Sequence, residues 1–208
     1  MKCSLCKNTA DFLTRQRHGN YYQCCSCGSA FLDPAFFLSP AQEKERYATH
    51  ENDVEDLRYQ NFVRPIVDAV TKHFLPSHEG LDFGSGTGPV ITKLLKDAGY
   101  QVQKYDPLFF NDTQALHKQY NYIACCEVIE HFHQPLKEFT LLHSLLRPGG
   151  KLYCMSELFY DEIEFEKWYY KNDPTHVFFY HPQAIAWIKN TLGFSSVKIQ
   201  GRLIEFTR

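Results

Sequence analysis

The sequence predicts an α/β protein built on a mostly parallel sheet, with a small cysteine-held module in front of it. Three observations carry that expectation. Leu81-Asp-Phe-Gly-Ser-Gly-Thr-Gly88 is a short apolar strand that runs into glycines and then into a helical pattern, Val90, Ile91, Leu94, Leu95 and Ala98. A second short strand, Gln101 to Tyr105, ends on the carboxylate of Asp106. Cys3-x-x-Cys6 and Cys24-x-x-Cys27 are separated by seventeen residues, a spacing that suits a four-thiolate zinc site.

In chain order, residues 1–30 are expected to form a zinc ribbon, too small to fold without its metal, with short strands at Phe12-Leu13 and Tyr21-Tyr22. Two C-x-x-C knuckles complete a tetrahedron, Gly28 suits the positive φ such knuckles need, and Cys25 is a spare thiol in the second one. Residues 31–78 read as a helical lid or linker. Ser39-Pro-Ala-Gln42 is a capped helix start for residues 40–47. Val63, Ile66, Val67, Val70 and Phe74 then share one helix face, with Pro65 expected to begin or kink that segment.

Residues 79–208 alternate strand and helix. Strands are expected at Gly80 to Phe83, Gln101 to Tyr105 and Tyr122 to Cys126. Only fourteen residues separate Asp106 from Asn121, so the unit between them should be short or irregular. Pro135 to Leu146 reads as a helix with Leu136, Phe139, Leu142 and Leu145 inward, closed by Arg147-Pro-Gly-Gly150 before a strand at Lys151 to Met155. A last helix, Pro182 to Leu192, stops at Gly193. Val197–Gln200 and Leu203–Thr207 flank Gly201-Arg202, a two-residue hairpin turn. Cys125, Cys126 and Cys154 sit in apolar runs and read as small buried hydrophobes.

With 208 residues, 44% of them apolar, the chain can bury one full domain plus an appendage. A net charge of −2 carries no polyanion-binding signature. No cationic-then-apolar leader and no apolar run near eighteen residues occurs, so a soluble, cytoplasmic protein with no membrane partner is expected.

A dinucleotide loop needs G-x-G-x-x-G, and its third glycine would fall on Pro89. The spacing Gly84, Gly86, Gly88, with Asp82 before it, instead resembles motif I of the class I S-adenosylmethionine (SAM) methyltransferases. Glu127-Val-Ile-Glu-His131, Pro135 and Leu146-Arg-Pro-Gly-Gly150 resemble the region after that motif in ubiquinone-type methyltransferases. Arg46-Tyr-x-x-His50-x-Asn52, Tyr105-Asp-Pro107 and Trp168-Tyr-Tyr-x-x-Asp-Pro-Thr-His-Val177, with the ribbon, are similar to a bacterial group of ribbon-bearing class I methyltransferases. The resemblance implies a Rossmann-like class I methyltransferase sheet with a terminal antiparallel hairpin, preceded by the ribbon. Two departures stand out: Asn121 replaces the acid that often opens strand four, and the unit after strand two is truncated.

What the resemblance implies about the site follows residue by residue. Gly84, Ser85, Gly86, Thr87 and Gly88 would hold the methionine part of SAM, with Asp82 acting electrostatically beneath them. Asp106 would take the ribose hydroxyls, Pro107 and Leu108 the adenine face, and Glu127 would lie at the cofactor's edge. In some ubiquinone-type enzymes Glu-x-x-Glu-His binds a divalent metal, matched here by Glu127, Glu130 and His131. The plainer reading is that Glu130 and His131 cap and orient a helix. His176 is expected to face the acceptor as proton acceptor, its tautomer fixed by Asp173, with His50 and His131 as further candidates. Trp168, Tyr169 and Tyr170 either roof the site or bury the lid, and His133 is grouped with surface or packing histidines.

The reaction expected is methyl transfer from SAM to a small molecule, at oxygen or carbon rather than nitrogen. Two alternatives come from other classes: an RNA- or protein-modifying enzyme that docks through the ribbon, and a non-catalytic SAM-binding module. Residues 1–30 hold Lys2, Lys7, Arg15 and Arg17 against Asp11, a weak positive balance that a four-thiolate zinc largely cancels.

Overall fold

A computed structural model describes residues 1–49 and 53–208. The main sheet has six strands: β4 (Glu79–Phe83), β5 (Gln101–Tyr105), β6 (Tyr120–Cys126), β7 (Leu146–Met155), β9 (Ser196–Gln200) and β10 (Leu203–Thr207). Their spatial order is β5-β4-β6-β7-β10-β9, with β5, β4, β6 and β7 parallel and the terminal hairpin antiparallel. Chain order reverses across the sheet at β4, so the loops leaving β4 and β6 part and open a crevice at their carboxyl ends.

Helices cover both faces because their apolar stripes have nowhere else to go. On one face α2 (Leu57–His73) and α3 (Val90–Asp97) bury Val63, Ile66, Val70, Ile91 and Leu95 against Tyr122, Ala124 and Tyr153. On the other, α4 (Pro135–Ser144) and α5 (Pro182–Leu192) bury Phe139, Leu142, Ile185 and Ile188 against Ile123, Leu152 and Phe206. Each such side chain contributes about 1.5–3 kcal/mol through burial. Among the described residues no helix is long and apolar enough to cross a membrane.

The expected elements form, with two differences, in α2 and β7, and the unit after β5 is short and irregular as expected. α2 starts at Leu57, capped by Asp56, and runs through Pro65 instead of starting or breaking there. Pro65 and Asn61 are both exposed, so the carbonyl that loses its partner is open to water. β7 begins at Leu146: Arg147-Pro-Gly-Gly150 forms a register shift inside the strand, between the pairs Tyr120↔Leu146 and Tyr122↔Lys151. The short segment after β5 holds a single 3-10 turn, Thr113–His117, and adds no strand.

The ribbon sheet consists of β1 (Ala10–Gln16), β2 (Gly19–Cys24) and β3 (Ala30–Leu32), and it carries on into β8 (Phe178–Phe179). Ala30 pairs with Phe179 and Phe31 with Phe178. Around that seam Tyr21, Leu32, Phe165, Trp168, Tyr170 and Phe179 make a third core cluster. The ribbon is therefore stitched by backbone pairing to the segment that carries His176. Ahead of α2, α1 (Pro40–Ala48) has the expected capping box between Ser39 and Gln42 and no buried residue.

Candidate functional site

The carboxyl ends of the parallel strands open into one cavity of about 950 Å³, floored by the loops after β4, β5 and β6 and covered by α1 and α2. That is the upper end of the ~300–1,000 Å³ common for ligand cavities.

β4 delivers Gly84, Ser85, Gly86 and Thr87 to the floor, while Gly88 does not line it. Gly84 and Gly86 have φ of 74° and 62°, where a side chain is strained. A Cβ on Gly84 would meet Val128 Cγ2 at 2.4 Å. The amides of Gly84 and Ser85 donate to the Tyr105 carbonyl at 2.8 and 3.2 Å, tying the loop to the end of β5. Ser85 Oγ is buried with no hydrogen-bond partner among the described residues.

Asp82 lies beneath this loop and does not line the cavity. Pro89, at the start of α3, offers no side-chain acceptor, and Asp82 serves instead: its Oδ2 accepts from Thr92 N at 3.2 Å and Thr92 Oγ1 at 2.7 Å. Burial pushes its carboxyl up to about 6. Asp106 does line the cavity, beside Pro107 and Leu108. Its Oδ2 accepts from Gly86 N at 3.0 Å, and its Oδ1 from Leu108 N at 2.8 Å and Phe109 N at 3.1 Å. A carboxylate has about four acceptor sites, so about one is left for a ligand.

The opposite wall is acidic and imidazole-rich. Glu127, at the turn after β6, has φ of 52° and receives Arg202 Nη2 on both carboxylate oxygens at 2.9 Å. Burial and the charge of Glu130 push the Glu127 carboxyl up, and Arg202 pulls it back. Arg202 also lies over the rings of Phe62 and Tyr170, at 5.3 and 5.4 Å. Glu130 is fully buried: Oε1 accepts from the Tyr170 hydroxyl, and Oε2 has no partner among the described residues.

His131 Nδ1 lies 2.9 Å from the Thr175 carbonyl and 3.0 Å from the Tyr47 hydroxyl. His176 Nδ1 lies 2.6 Å from the Tyr170 carbonyl. A carbonyl only accepts, so each Nδ1 carries the proton and each Nε2 keeps its lone pair. Burial lowers the pKa of both rings, favouring the neutral form. Asp173 does not set the His176 tautomer as the sequence suggested. Its carboxylate accepts from Thr175 N and Oγ1 and pairs with Arg46 at 2.7 Å. Nor does Glu127 join a cation site with Glu130 and His131, since Arg202 holds both its oxygens. On this wall, the cluster with metal-ligand spacing is Glu130, His131 and His176, with one ligand atom from each within 4.8 Å of the others.

Of the aromatic run, Tyr169 and Tyr170 line the cavity, whereas Trp168 packs into the ribbon seam. Cys125 and Cys154 are buried as expected, but Cys126 reaches the cavity. His50 lies outside the described residues. His133 and Arg202 are site residues that the sequence reading did not place. His133 lines the cavity and bonds Glu43 of α1 at 2.9 Å. Arg202 was visible only as a hairpin turn, yet an antiparallel hairpin against β7 has to bring its tip to the carboxyl end of the parallel strands.

In the ribbon, Cys3, Cys6, Cys24 and Cys27 form one cluster with sulfurs within 4.8 Å. Cys3 and Cys27 are 3.8 Å apart and Cys6 and Cys24 3.4 Å. Lys7 and Gly28 follow the second cysteine of each knuckle, with φ of 64° and 72°. Cys25 is exposed, outside the cluster, with Sγ 3.5 Å from Asp11.

A family model described as a methyltransferase domain matches residues 42–199. Among solved structures, the chain is similar to magnesium protoporphyrin IX methyltransferase of Synechocystis, with bound S-adenosylhomocysteine (SAH). Identity is 18% and the TM-score 0.59, over 84% of this chain and 97% of that one. It is also similar to the 1,6-didemethyltoxoflavin N1-methyltransferase of Burkholderia thailandensis, bound to its substrate and SAH. There identity is 13% and the TM-score 0.58, over 96% and 99% of the two chains. An O-methyltransferase family protein of the same organism matches at 14% identity and a TM-score of 0.53. That match takes in 79% of this chain, which spans 61% of that protein's length. At these identities the likeness is one of fold. No curated protein matches the chain.

Proposed function

This chain belongs to the methyltransferase-domain family and is a class I SAM-dependent methyltransferase; on that premise we propose that its acceptor is a small molecule, methylated at oxygen or carbon. One observation carries the reading: the cavity has two chemically different walls. The glycine loop and Asp106 form one, and His131 and His176, backed by the buried carboxylate of Glu130, form the other.

The first wall fits the cofactor. Ser85 supplies an orphaned buried hydroxyl, Gly84 and Gly86 keep side chains out of the loop, and Asp106 keeps an acceptor position toward a ribose. Bound SAM brings an activated methyl group on a sulfonium, so the protein's task is alignment, exclusion of water and handling of the acceptor's proton. α1 and α2 cover the cavity, and Tyr47, Tyr59, Phe62 and Tyr170 give it an aromatic lining that suits a small, flat or partly apolar acceptor. The second wall handles the proton, which a hydroxyl or an acidic carbon must lose and a neutral amine loses only after transfer.

In this reading the four ribbon cysteines hold one structural zinc. Ligation at about 2.3 Å puts tetrahedral sulfurs about 3.8 Å apart, close to the separations in the cluster. Four thiolates leave no coordination position for substrate, so this zinc takes no part in the chemistry. A thiolate site also needs reduced cysteines, which ties the proposal to the cytoplasm. The β3–β8 pairing supports the ribbon as a support for the His176 segment rather than an RNA- or protein-docking handle.

The test is incubation of the protein and methyl-labelled SAM with a pool of metabolites, reading which mass gains a methyl group. Asp106→Ala should weaken SAH binding by about 1–3 kcal/mol. His176→Asn should leave SAH affinity unchanged and lower turnover by ~10²–10⁴. SAH binding with no methylated product from any pool would make the chain a SAM-binding module instead.

A further inference from the structure

We propose that Glu130, His131 and His176 bind a divalent first-row transition-metal ion on the acceptor side of the cavity, a site separate from the ribbon cysteines. Two independent observations carry it. One is an orphaned donor: Glu130 is fully buried, yet its Oε2 has no partner among the described residues. Leaving a carboxylate oxygen desolvated and unbonded is expensive, and a cation is what it lacks.

The other is the state of the two imidazoles. Each gives its Nδ1–H to a backbone carbonyl, His131 to Thr175 at 2.9 Å and His176 to Tyr170 at 2.6 Å. That is the outer support of metal-bound histidines, and it fixes the tautomer that leaves Nε2 free to ligate. Glu130 has its own support, because Oε1 is held by the Tyr170 hydroxyl. One backbone segment, Tyr170 to Thr175, thus orients all three donors. One nitrogen or oxygen from each of the three side chains lies within 4.8 Å of the others, and His176 Nε2 is 3.9 Å from Glu130 Oε1. Ligation at about 2.1 Å asks for donors about 3–3.5 Å apart, a closure within the reach of side-chain torsions.

The donor set chooses the ion. Two nitrogens and one carboxylate suit manganese through zinc, whereas magnesium and calcium prefer oxygen alone. Three protein ligands also leave coordination positions, and His131 and His176 face the cavity. An oxygen of the acceptor would take one of them, so that the wall eases loss of the acceptor's proton through the bound ion rather than through a free imidazole lone pair, which makes the acceptor a hydroxyl, enol or carboxylate compound. Only this last step rests on the methyl-transfer reading.

The set differs from the Glu-x-x-Glu-His run read in the sequence, and the difference makes the test sharp. Cobalt(II) is titrated into protein brought to one zinc per chain, held by the ribbon cysteines, and followed by its d–d absorption. The expected result is one equivalent bound without thiolate-to-cobalt charge-transfer bands. Glu130→Gln and His176→Gln should each weaken binding at least tenfold, while Glu127→Gln leaves it within about twofold. Zinc content and SAH calorimetry show that each variant is folded, and His176→Gln carries the test where Glu130→Gln is not. Cobalt bound only with thiolate bands, no binding at all, or equal loss in Glu127→Gln would each overturn the site. SAH binding is read separately, so failure of the metal site and failure of the methyltransferase reading remain distinct.

Discussion

The ribbon cluster and the imidazole wall both gather metal-binding side chains, but they are assembled in opposite ways. Each ribbon knuckle takes its two cysteines from four consecutive residues, and two β-strands bring the knuckles together. The wall takes Glu130 and His131 from the turn after β6 and His176 from a segment forty-five residues later. A long hydrogen-bonded loop does for the wall what two tight turns do for the ribbon. The ribbon should therefore fail as a unit when one ligand is lost, and the wall should fail locally, without unfolding.

The largest effect expected tests the ribbon half of that contrast. Cys27→Ser removes a buried cysteine from the cluster proposed to hold zinc, and such a metal is worth ~10–16 kcal/mol in isolated zinc-finger peptides. Through the pairs Ala30↔Phe179 and Phe31↔Phe178 the damage should spread into the main body. We expect loss of zinc, a Tm lower by ~10–20 °C for a several-kcal/mol loss, and rapid amide exchange at Phe178 and Phe179. A zinc-free variant with unchanged protection at those two amides would show that the ribbon and the wall are independent.

The same contrast explains what the sequence made legible. The cysteines, the glycine loop and Asp106 lie within short stretches whose spacing reflects backbone geometry, and they form the expected clusters and loop. Helix and strand positions were legible for the same reason, apart from Pro65, whose exposed position let α2 run through it, and Arg147-Pro-Gly-Gly150, which β7 takes in as a register shift. The polar wall was not legible. That Arg202 takes Glu127, and that Tyr170 and Thr175 orient the imidazoles, depends on hairpin and loop packing that no local spacing encodes. Asp173 shows the hazard: three residues before His176, it spends its carboxylate on Thr175 and Arg46.

An intermediate effect belongs to Asp82, a buried acid of the legible kind. Its carboxyl is raised from 3.8 to about 6 by burial, so between those values the folded protein holds a proton that the unfolded chain has released. Stability from this group therefore falls as pH rises from about 4 to about 6, and stays lower above that. Two units correspond to at most ~3 kcal/mol. Asp82→Asn keeps an acceptor for Thr92 and removes the titration. Denaturant melts at pH 4 and pH 7 should show wild type losing ~2–3 kcal/mol relative to the variant. Parallel pH curves would mean that the carboxylate is adequately solvated by Thr92 and the loop.

The smallest effect probes how the lid joins the wall. α1 buries no side chain, so its hold on the body is polar: Arg46 to Asp173 at 2.7 Å, Tyr47 to His131 at 3.0 Å and Glu43 to His133 at 2.9 Å. Burial would raise the Asp173 carboxyl, but hydrogen bonds from Thr175 and from Arg46 hold it well below the ordinary range. Arg46 is partly exposed, which limits the pair to about 0.5–1 kcal/mol. Arg46→Gln should then loosen α1 without touching the core. Stopped-flow release of SAH is expected to speed up about 2–5-fold, with the Tm within about 2 °C of wild type. A large fall in Tm would make α1 a structural element of the fold. Unchanged release would show that the cofactor leaves by a path α1 does not cover, and the wall would then be roofed by α2 and Tyr169 alone.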